Sequence, residues 1–362
     1  MKKIYIIIVA LVSVGLLIFV YNDYALYKTP ILKVTSIETT TDDELYEEKF
    51  YIQNIKGIIK NGIYKGKIFE TTNTYLESLV YDDKIENHNE LFVEISEDGS
   101  EISNILGIKR DKYIAILLIL FIDLIIIIAG KKGLKTLGSL FLNMGITAGA
   151  ILLFMNKIET MNLLFLFFIV SIIYIIISLY ITNGKSKKTI AAIVSSIISL
   201  LISFGLSFIL IKTVEERLYI WNMDYIEAIY DYNNYLYVCV LLCGLGAIMD
   251  ISITISSALN ELINKNPKIE RNALIKSGKV ITKDIIGTMI NVMLFTCYTS
   301  VIPTIVLATR NNIPLHNALV LYGDIELMIV LCNCIGIVLT IPISLYISIL
   351  ILNRKKDVIN NE

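Results

Sequence analysis

The chain has 362 residues, of which 55% are hydrophobic and only 18% are charged, and its formal net charge is −1. Its mean hydropathy of +0.68 lies above the range of soluble globular proteins and predicts several membrane-spanning segments. A net charge so close to zero excludes binding to nucleic acid through overall charge.

Residues that commonly carry out chemistry are few and scattered. The five cysteines all lie in apolar segments, and His88 and His316 have no cysteine or second histidine beside them. These positions predict neither a disulfide scaffold nor a zinc site. The sequence also contains no H-E-x-x-H motif and no phosphate-binding loop. We therefore expect no catalytic residues, no metal and no cofactor, and we do not expect an enzyme.

The first segment, 1–29, contains an apolar run at 4–20 after a short basic start. This pattern predicts an uncleaved N-terminal transmembrane helix followed by a short linker. A cleaved signal peptide is the alternative, but no small-x-small cleavage pattern follows the run.

The segment 30–111 is polar and differs sharply from the rest of the chain. It contains strand-like runs at 31–37 and 91–95, and Asn61-Gly62 is typical of a tight turn. These features predict a small extracytoplasmic β-rich domain, folded as a barrel or a sandwich. Such a domain either binds a ligand or serves as a folded spacer.

Seven further apolar segments lie within 112–353, each near the ~20 residues that cross a bilayer as a helix. Their approximate limits are 113–130, 137–155, 161–181, 190–211, 235–259, 285–308 and 326–352. The chain is thus predicted to be an α-helical polytopic membrane protein of about 8 transmembrane helices, with the β-rich domain between helices 1 and 2. A cytoplasmic tail follows at 354–362.

Lysine and arginine in the short connections predict the orientation of these helices. With the N-terminus inside, the cytoplasmic segments carry 17 of these residues, whereas the short outer loops carry four. This excess predicts that both termini are cytoplasmic and that the 30–111 domain is outside.

Two predicted spans, which form a hairpin over 244–298, carry polar side chains that a bilayer disfavours. In the first span these residues recur at steps of four, three and four, which is one face of an α-helix, and the second has a similar stripe. The candidates are Asp250, Thr254, Ser257, Glu261, Asp284, Thr288 and Asn291. An intramembrane carboxylate costs at least about 2.5–3.5 kcal/mol on insertion scales, so such residues usually face a protein interior or a polar cavity.

Asp250 and Asn291 are both expected roughly 10–15 Å from the inner surface, at a rise of about 1.5 Å per residue. Carboxylate, amide and hydroxyl oxygens at one depth suit a proton or a hard cation. The alternative is an Asp250–Asn291 hydrogen bond that only locks the two helices. Asp123, in the second predicted span, is a secondary candidate because an intramembrane carboxylate must be paired, protonated or hydrated.

Two further patterns predict local structure. In the basic loop between the hairpin helices, Pro267 predicts a helix start and Gly278 predicts a helix stop. In the fifth span, serines recur at steps of four from Ser195 to Ser207, which predicts close packing between helices.

The hairpin resembles a known family. The residues that carry the resemblance are Gly246-Ala247-Ile248-Met249-Asp250-Ile251, Ser256-Ser257-Ala258-Leu259-Asn260-Glu261, Asn266-Pro267, Ser277-Gly278, and Asp284-Ile285-Ile286-Gly287-Thr288-Met289 with Asn291. In these residues, and in the order of its segments, the chain resembles the YibE/F-like family of bacterial multi-pass membrane proteins. The resemblance implies a permease-like protein of the bacterial cell membrane.

Two functions of different classes remain open from the sequence. The first is a permease or secondary transporter for an unknown small solute or ion, with the hairpin residues lining the path. The second is a non-transporting membrane sensor or scaffold that acts through its extracytoplasmic domain. Either one has the lipid bilayer as its surroundings, and a homo-oligomer or a partner membrane subunit is compatible with both.

Overall fold

The computed structural model describes residues 2–45, 48–79, 82–96, 98–156, 161–214 and 232–353, and the chain divides into two compact units, Met1–Gly133 and Leu134–Glu362. The predicted tail at 354–362 lies outside the described residues. The first unit begins with helix α1 and a 3-10 turn, continues through five strands, and ends within helix α2, Asp111–Asn156. Its elements are α1 Lys2–Tyr21, the turn Asp23–Leu26, β1 Ile31–Leu45, β2 Glu48–Ile59, β3 Ile68–Leu76, β4 Glu90–Ile95 and β5 Ile102–Ile108.

The five strands form one antiparallel sheet in the order β3-β2-β1-β4-β5, and the two end strands, β3 and β5, contact each other. This is the order of the partly open five-stranded barrel found in the OB-fold. The prediction of a β-rich domain is therefore confirmed, and the domain is a barrel. Its core contains side chains from every strand, together with Ile85 of the β3–β4 connection. The strand residues of the core are Leu32, Val34, Ile55, Ile59, Phe69, Leu91, Val93 and Ile102.

Strand β1 is long enough to pair with two neighbours. It pairs with β4 only over its first residues, Ile31 to Lys33, and with β2 along most of its length. The register shifts between Val34 and Ser36, as a β-bulge does. Because a bulge bends a strand and increases its twist, it lets one strand serve both sides of a curved barrel.

A buried cation lies where the barrel meets the helices. The Lys109 side chain is 0% exposed, and its Nζ lies 2.8 Å from Asp23 Oδ1 and 2.5 Å from Asp111 Oδ2. The Tyr27 hydroxyl donates to Asp111 Oδ2 at 2.9 Å, and the ammonium lies 5.1 Å from the centre of the Tyr27 ring. Residues from before the barrel, after the barrel and the start of α2 thus share one charge network.

A second ion pair extends this network into the barrel wall. Lys112 Nζ lies 2.6 Å from Glu90 Oε1, and the Tyr24 hydroxyl donates to the same oxygen at 2.5 Å. The Lys109 backbone N–H also donates to the Glu90 carbonyl at 2.6 Å. We call the whole set the junction cluster; it consists of Asp23, Tyr24, Tyr27, Glu90, Lys109, Asp111 and Lys112.

Protonation within the junction cluster follows from burial and charge. Burial and then the hydrogen bond to Glu90 raise the pKa of Tyr24, so its phenol stays neutral. Burial opposes the charge of Lys109, but the hydrogen bonds that its ammonium donates to Asp111 and Asp23 outweigh burial and raise the pKa of the ammonium. The cluster therefore keeps a charged lysine and neutral tyrosines at neutral pH.

We expect Lys109→Met to destabilise the barrel by about 3–5 kcal/mol, because it leaves the buried Asp23 and the partly buried Asp111 without their cation. Hydrogen exchange of the barrel amides in the full-length protein measures this loss. The control is Lys56→Met, which removes an exposed pair with Glu70 and should change protection little. Equal protection in the wild type and the Lys109 variant would contradict the role of the cluster.

The second unit is helical. It begins within α2, at Leu134, and continues with α3 Leu163–Asn183, α4 Lys187–Val214, α5 Tyr232–Cys243, α6 Leu245–Lys265, α7 Arg271–Arg310 and α8 Leu315–Asn353. Within the described residues, six helical stretches are long and apolar enough to cross a membrane, with α5 and α6 counted as one. Their length and composition are those of an integral membrane protein, whereas the predicted count of eight is not confirmed.

The difference from eight is partly explained by α2. Its 46 residues contain two predicted spans, 113–130 and 137–155, which the structure joins into one helical stretch. That stretch is interrupted at Gly130, where φ is 56° and ψ is −131°. Only glycine adopts such a conformation readily, so the glycine at position 130 allows the helix to break there.

The prediction of a helix stop at Gly278 is wrong. Helix α6 continues to Lys265, and α7 begins at Arg271 and passes through Gly278 without interruption. A side chain at this position would lie 2.2 Å from the Leu345 side chain of α8. Glycine is thus present because two helices approach closely, and not because a helix ends. Likewise Pro267 lies in the connecting turn and does not begin the helix.

Helices α4, α6 and α8 meet along a seam of small and hydroxyl side chains. Ser252 and Ser256 of α6 are hydrogen-bonded to Ser344 and Ser348 of α8, with Oγ–Oγ distances of 2.9 and 2.7 Å. All four side chains are 0% exposed. Small residues at such spacing allow helix backbones to approach closely in a membrane.

The α4 side of the seam is set by Ser203, which lies against Gly336 of α8. A Cβ atom at Gly336 would lie 1.9 Å from Ser203 Oγ, whereas one at Gly323 of the same helix meets nothing within 4 Å. The serine stripe that the sequence predicted for packing, from Ser195 to Ser207, is buried in this helix bundle.

We expect Gly336→Val to destabilise the helix bundle by about 1–3 kcal/mol through overpacking. Gly323→Val is the matched control, because it makes the same chemical change in the same helix without a neighbour. Unfolding by sodium dodecyl sulfate in detergent solution compares the two. The packing explanation fails if both variants lose the same stability.

Candidate functional site

The polar stripe that the sequence predicts on α6 lies on the side of the helix that the bundle leaves open. Asp250, Thr254 and Glu261 are exposed, and Ser257 is half-buried. The opposite face is buried, and it consists of Leu245, Ile248, Ile251, Ser252, Ile255, Ser256 and Leu259. The prediction that these polar residues share one helix face is met, but the face does not point into the described bundle.

The candidate residues of α7 are also mostly exposed. Thr288 and Asn291 lie on the open surface of the helix, and the Thr288 hydroxyl donates to the Ile285 carbonyl at 2.9 Å. The backbone of Asp284 lies within α7, but its side chain is outside the described atoms.

The structure does not pair Asp250 with Asn291. Within the described part of the chain no hydrogen bond joins them, so the alternative of an interhelical lock is not what holds these helices together. Helices α6 and α7 instead meet through an apolar cluster that includes Ile251, Leu259 and Met293.

The other polar groups of the α6 stripe are bonded locally. The Thr254 hydroxyl donates to the Asp250 carbonyl at 2.7 Å, one turn earlier in the same helix. Glu261 pairs with Lys265 at 2.9 Å near the end of α6, with both side chains exposed. An exposed pair of this kind contributes little stability, which leaves both residues available for other contacts.

Asp250 is the carboxylate of the stripe that lies within the apolar part of α6. It lies 15 residues before Lys265, the last residue of α6, which corresponds to about 22 Å along the helix. This is longer than the roughly 10–15 Å expected from the sequence because the helix runs five residues past Asn260. A carboxylate that faces lipid within an apolar helix is strongly disfavoured, so such a group requires water, a polar partner or a proton. Thr254 on α6 and Thr288 and Asn291 on α7 are exposed polar groups of the same helix pair.

Asp123 has a partner. The Ser13 hydroxyl of α1 lies 2.8 Å from Asp123 Oδ1 of α2, and Ser13 is buried. The same hydroxyl lies 2.9 Å from the Val9 carbonyl, so one proton is shared between two acceptors. This contact ties α1 to the first part of α2, and it accounts for Asp123 without a substrate.

Sequence reasoning missed the junction cluster and half of the hydroxyl seam. Lys109 and Asp23 are 86 residues apart, so no local pattern links them. A signal for the seam was present, since Thr340, Ser344 and Ser348 of α8 also recur at steps of four. Among the described residues, no three His, Cys, Asp or Glu side chains are grouped to hold a metal ion.

Comparison with known families covers nearly the whole chain. Residues 117–354 match the model of the YibE/F-like protein family, and residues 25–108 match the YibE/F family N-terminal domain. No curated protein and no solved structure matches the chain. Since the first of the two family models alone covers more than half of the sequence, the chain belongs to the YibE/F-like protein family.

Proposed function

We propose that this protein is a permease or secondary transporter of the bacterial cell membrane, with an intramembrane polar site on α6 and α7. The observation that carries the proposal is the open polar face of α6, where a carboxylate lies within an otherwise apolar segment. A structural role would place such a group against a polar partner on another helix, as Ser13 of α1 is for Asp123. Asp250 has no such contact in the described residues, and a hydrated path for an ion or small solute satisfies it.

The proposal includes eight membrane crossings with both termini in the cytoplasm. Helix α2 is 46 residues long, or about 69 Å, which is more than twice the ~30 Å hydrocarbon core. Its break at Gly130 supports two crossings in this element. Together with α1, the α5–α6 pair and the remaining four helices, this gives eight and leaves the barrel outside.

In this proposal the Asp250 carboxylate binds a proton or a hard cation, since carboxylate, hydroxyl and amide oxygens are the ligands that such ions prefer. Thr254, Ser257, Thr288 and Asn291 supply the neutral oxygens of the same path, and Asp284 and Glu261 lie toward its cytoplasmic end. Occupation by a cation removes the net charge of the site and thereby lowers the cost of crossing the membrane centre.

We expect Asp250→Asn to reduce ion flux at least tenfold, because the amide keeps the size of the side chain but removes its charge. The purified protein is placed in liposomes, and fluxes of H⁺, Na⁺ and K⁺ are followed with ion-sensitive dyes. Asp324→Asn is the control, because it changes an exposed carboxylate of α8 outside the proposed path. Unchanged flux in the Asp250 variant would rule out its role.

The junction cluster favours a second candidate, a membrane sensor that acts through the barrel. Ion pairs and hydrogen bonds join the barrel to the 3-10 turn that follows α1 and to the start of α2, so a change in the barrel can reach these helices without a flexible linker. Two changes to the chain distinguish a sensor from a permease, because the two functions predict opposite effects on the cellular phenotype. Replacement of residues 31–108 by a flexible linker should abolish the cellular phenotype of a sensor, and Asp250→Asn should leave that phenotype intact. A permease should show the reverse pattern.

A further inference from the structure

The outer face of the barrel contains an open cleft of about 520 Å³. This volume lies within the range of about 300–1,000 Å³ typical of ligand sites. The walls come from β1, β2 and β3 and from the connection that leads into β5, and they consist mostly of polar side chains. The lining residues are Ser36, Glu38, Asn54, Ile55, Lys56, Glu70, Thr71, Thr72, Glu101 and Ile102.

Strand register places the polar members of this lining in two rows. Ser36 of β1 lies opposite Lys56 of β2, which lies opposite Glu70 of β3. One step further along, Glu38 lies opposite Asn54, which in turn lies opposite Thr72 of β3. Because directly opposed residues point to the same face of a sheet, these side chains form one continuous polar surface.

The position of the cleft agrees with the topology of the barrel. In OB-folds the face around strands 2 and 3, together with the loop between strands 4 and 5, is the surface that binds extended polymers. Here the same strands form the cleft, and Glu101, at the end of the β4–β5 connection, also lines it. The strand order and the cavity thus point independently to the same surface.

The negative charge of the cleft limits the kinds of ligand that it can bind. Lys56 Nζ lies 2.8 Å from Glu70 Oε1, which neutralises one carboxylate. Glu38 and Glu101 are exposed and have no ion-pair partner among the described residues. A phosphate polymer would be repelled by these carboxylates, so the oligonucleotides that bind other barrels of this order do not fit.

We propose that this cleft binds a short, extended, basic peptide segment. The unpaired carboxylates of Glu38 and Glu101 receive lysine or arginine side chains. Between them, the Asn54 amide and the Ser36 and Thr72 hydroxyls provide donors and acceptors for the amide groups of a peptide backbone. A simple polyamine has no carbonyl groups for these donors and would leave them unused. The proposal concerns binding outside the membrane, so it does not depend on whether the chain is a permease.

The test uses the full-length protein in phosphatidylcholine nanodiscs and a fluorescent Lys-Ser-Lys-Ser-Lys peptide, with binding followed by anisotropy. Glu38→Gln and Glu101→Gln should each weaken binding about two- to fivefold, as expected for one exposed charge pair. Lys56→Gln should strengthen it, because it frees Glu70 to contact the peptide. Two changes of opposite sign separate loss of a contact from loss of the fold.

Glu94→Gln is the matched control, since it removes the same charge from an exposed position on β4 outside the cleft. It should change the affinity less than twofold. The proposal is overturned if the wild type shows no saturable binding or if Glu94→Gln weakens it as much as the cleft variants do. It is also overturned if a Glu-Ser-Glu-Ser-Glu peptide binds equally well, or if spermidine displaces the peptide at equal concentration of charge.

Discussion

The ion pairs of the buried Lys109 ammonium are the interaction on which the β domain depends. Its two carboxylate partners come from opposite ends of the β domain, since Asp23 precedes the first strand and Asp111 follows the last. A buried charge without its partners costs several kcal/mol, so the lysine is tolerated only when both chain ends meet at one point. Electrostatics thereby define where the barrel begins and ends, while apolar side chains fill its interior.

In the helical bundle, uncharged groups specify which elements are neighbours. Lipid tails are as apolar as leucine side chains, so apolar contact alone gives little specificity for one helix neighbour over another. Along the seam of α4, α6 and α8, hydroxyl pairs and the close contact between Gly336 and Ser203 specify which helices are neighbours. The polar face of α6 is therefore free for another purpose, because the opposite face already specifies the packing.

Sequence patterns predicted those features that depend on local period or composition. The apolar runs, the change to strands after residue 30 and the common face of Asp250 and Thr254 are of this kind. Whether that face is turned toward the bundle or away from it was not predictable, because a helical period is the same in both cases. The helix stop predicted at Gly278 was wrong because the role of this glycine depends on its contact with Leu345, which is distant in the sequence.

The Ser252–Ser344 and Ser256–Ser348 pairs have the same separation in sequence, 92 residues, so α6 and α8 run parallel in a fixed register. Sliding one helix by one or two residues would break both hydrogen bonds. A displacement of four residues, about 6 Å, would bring one serine of each helix together again. Favourable registers of the two helices are therefore one turn apart, and the observed register is the one that makes both serine pairs.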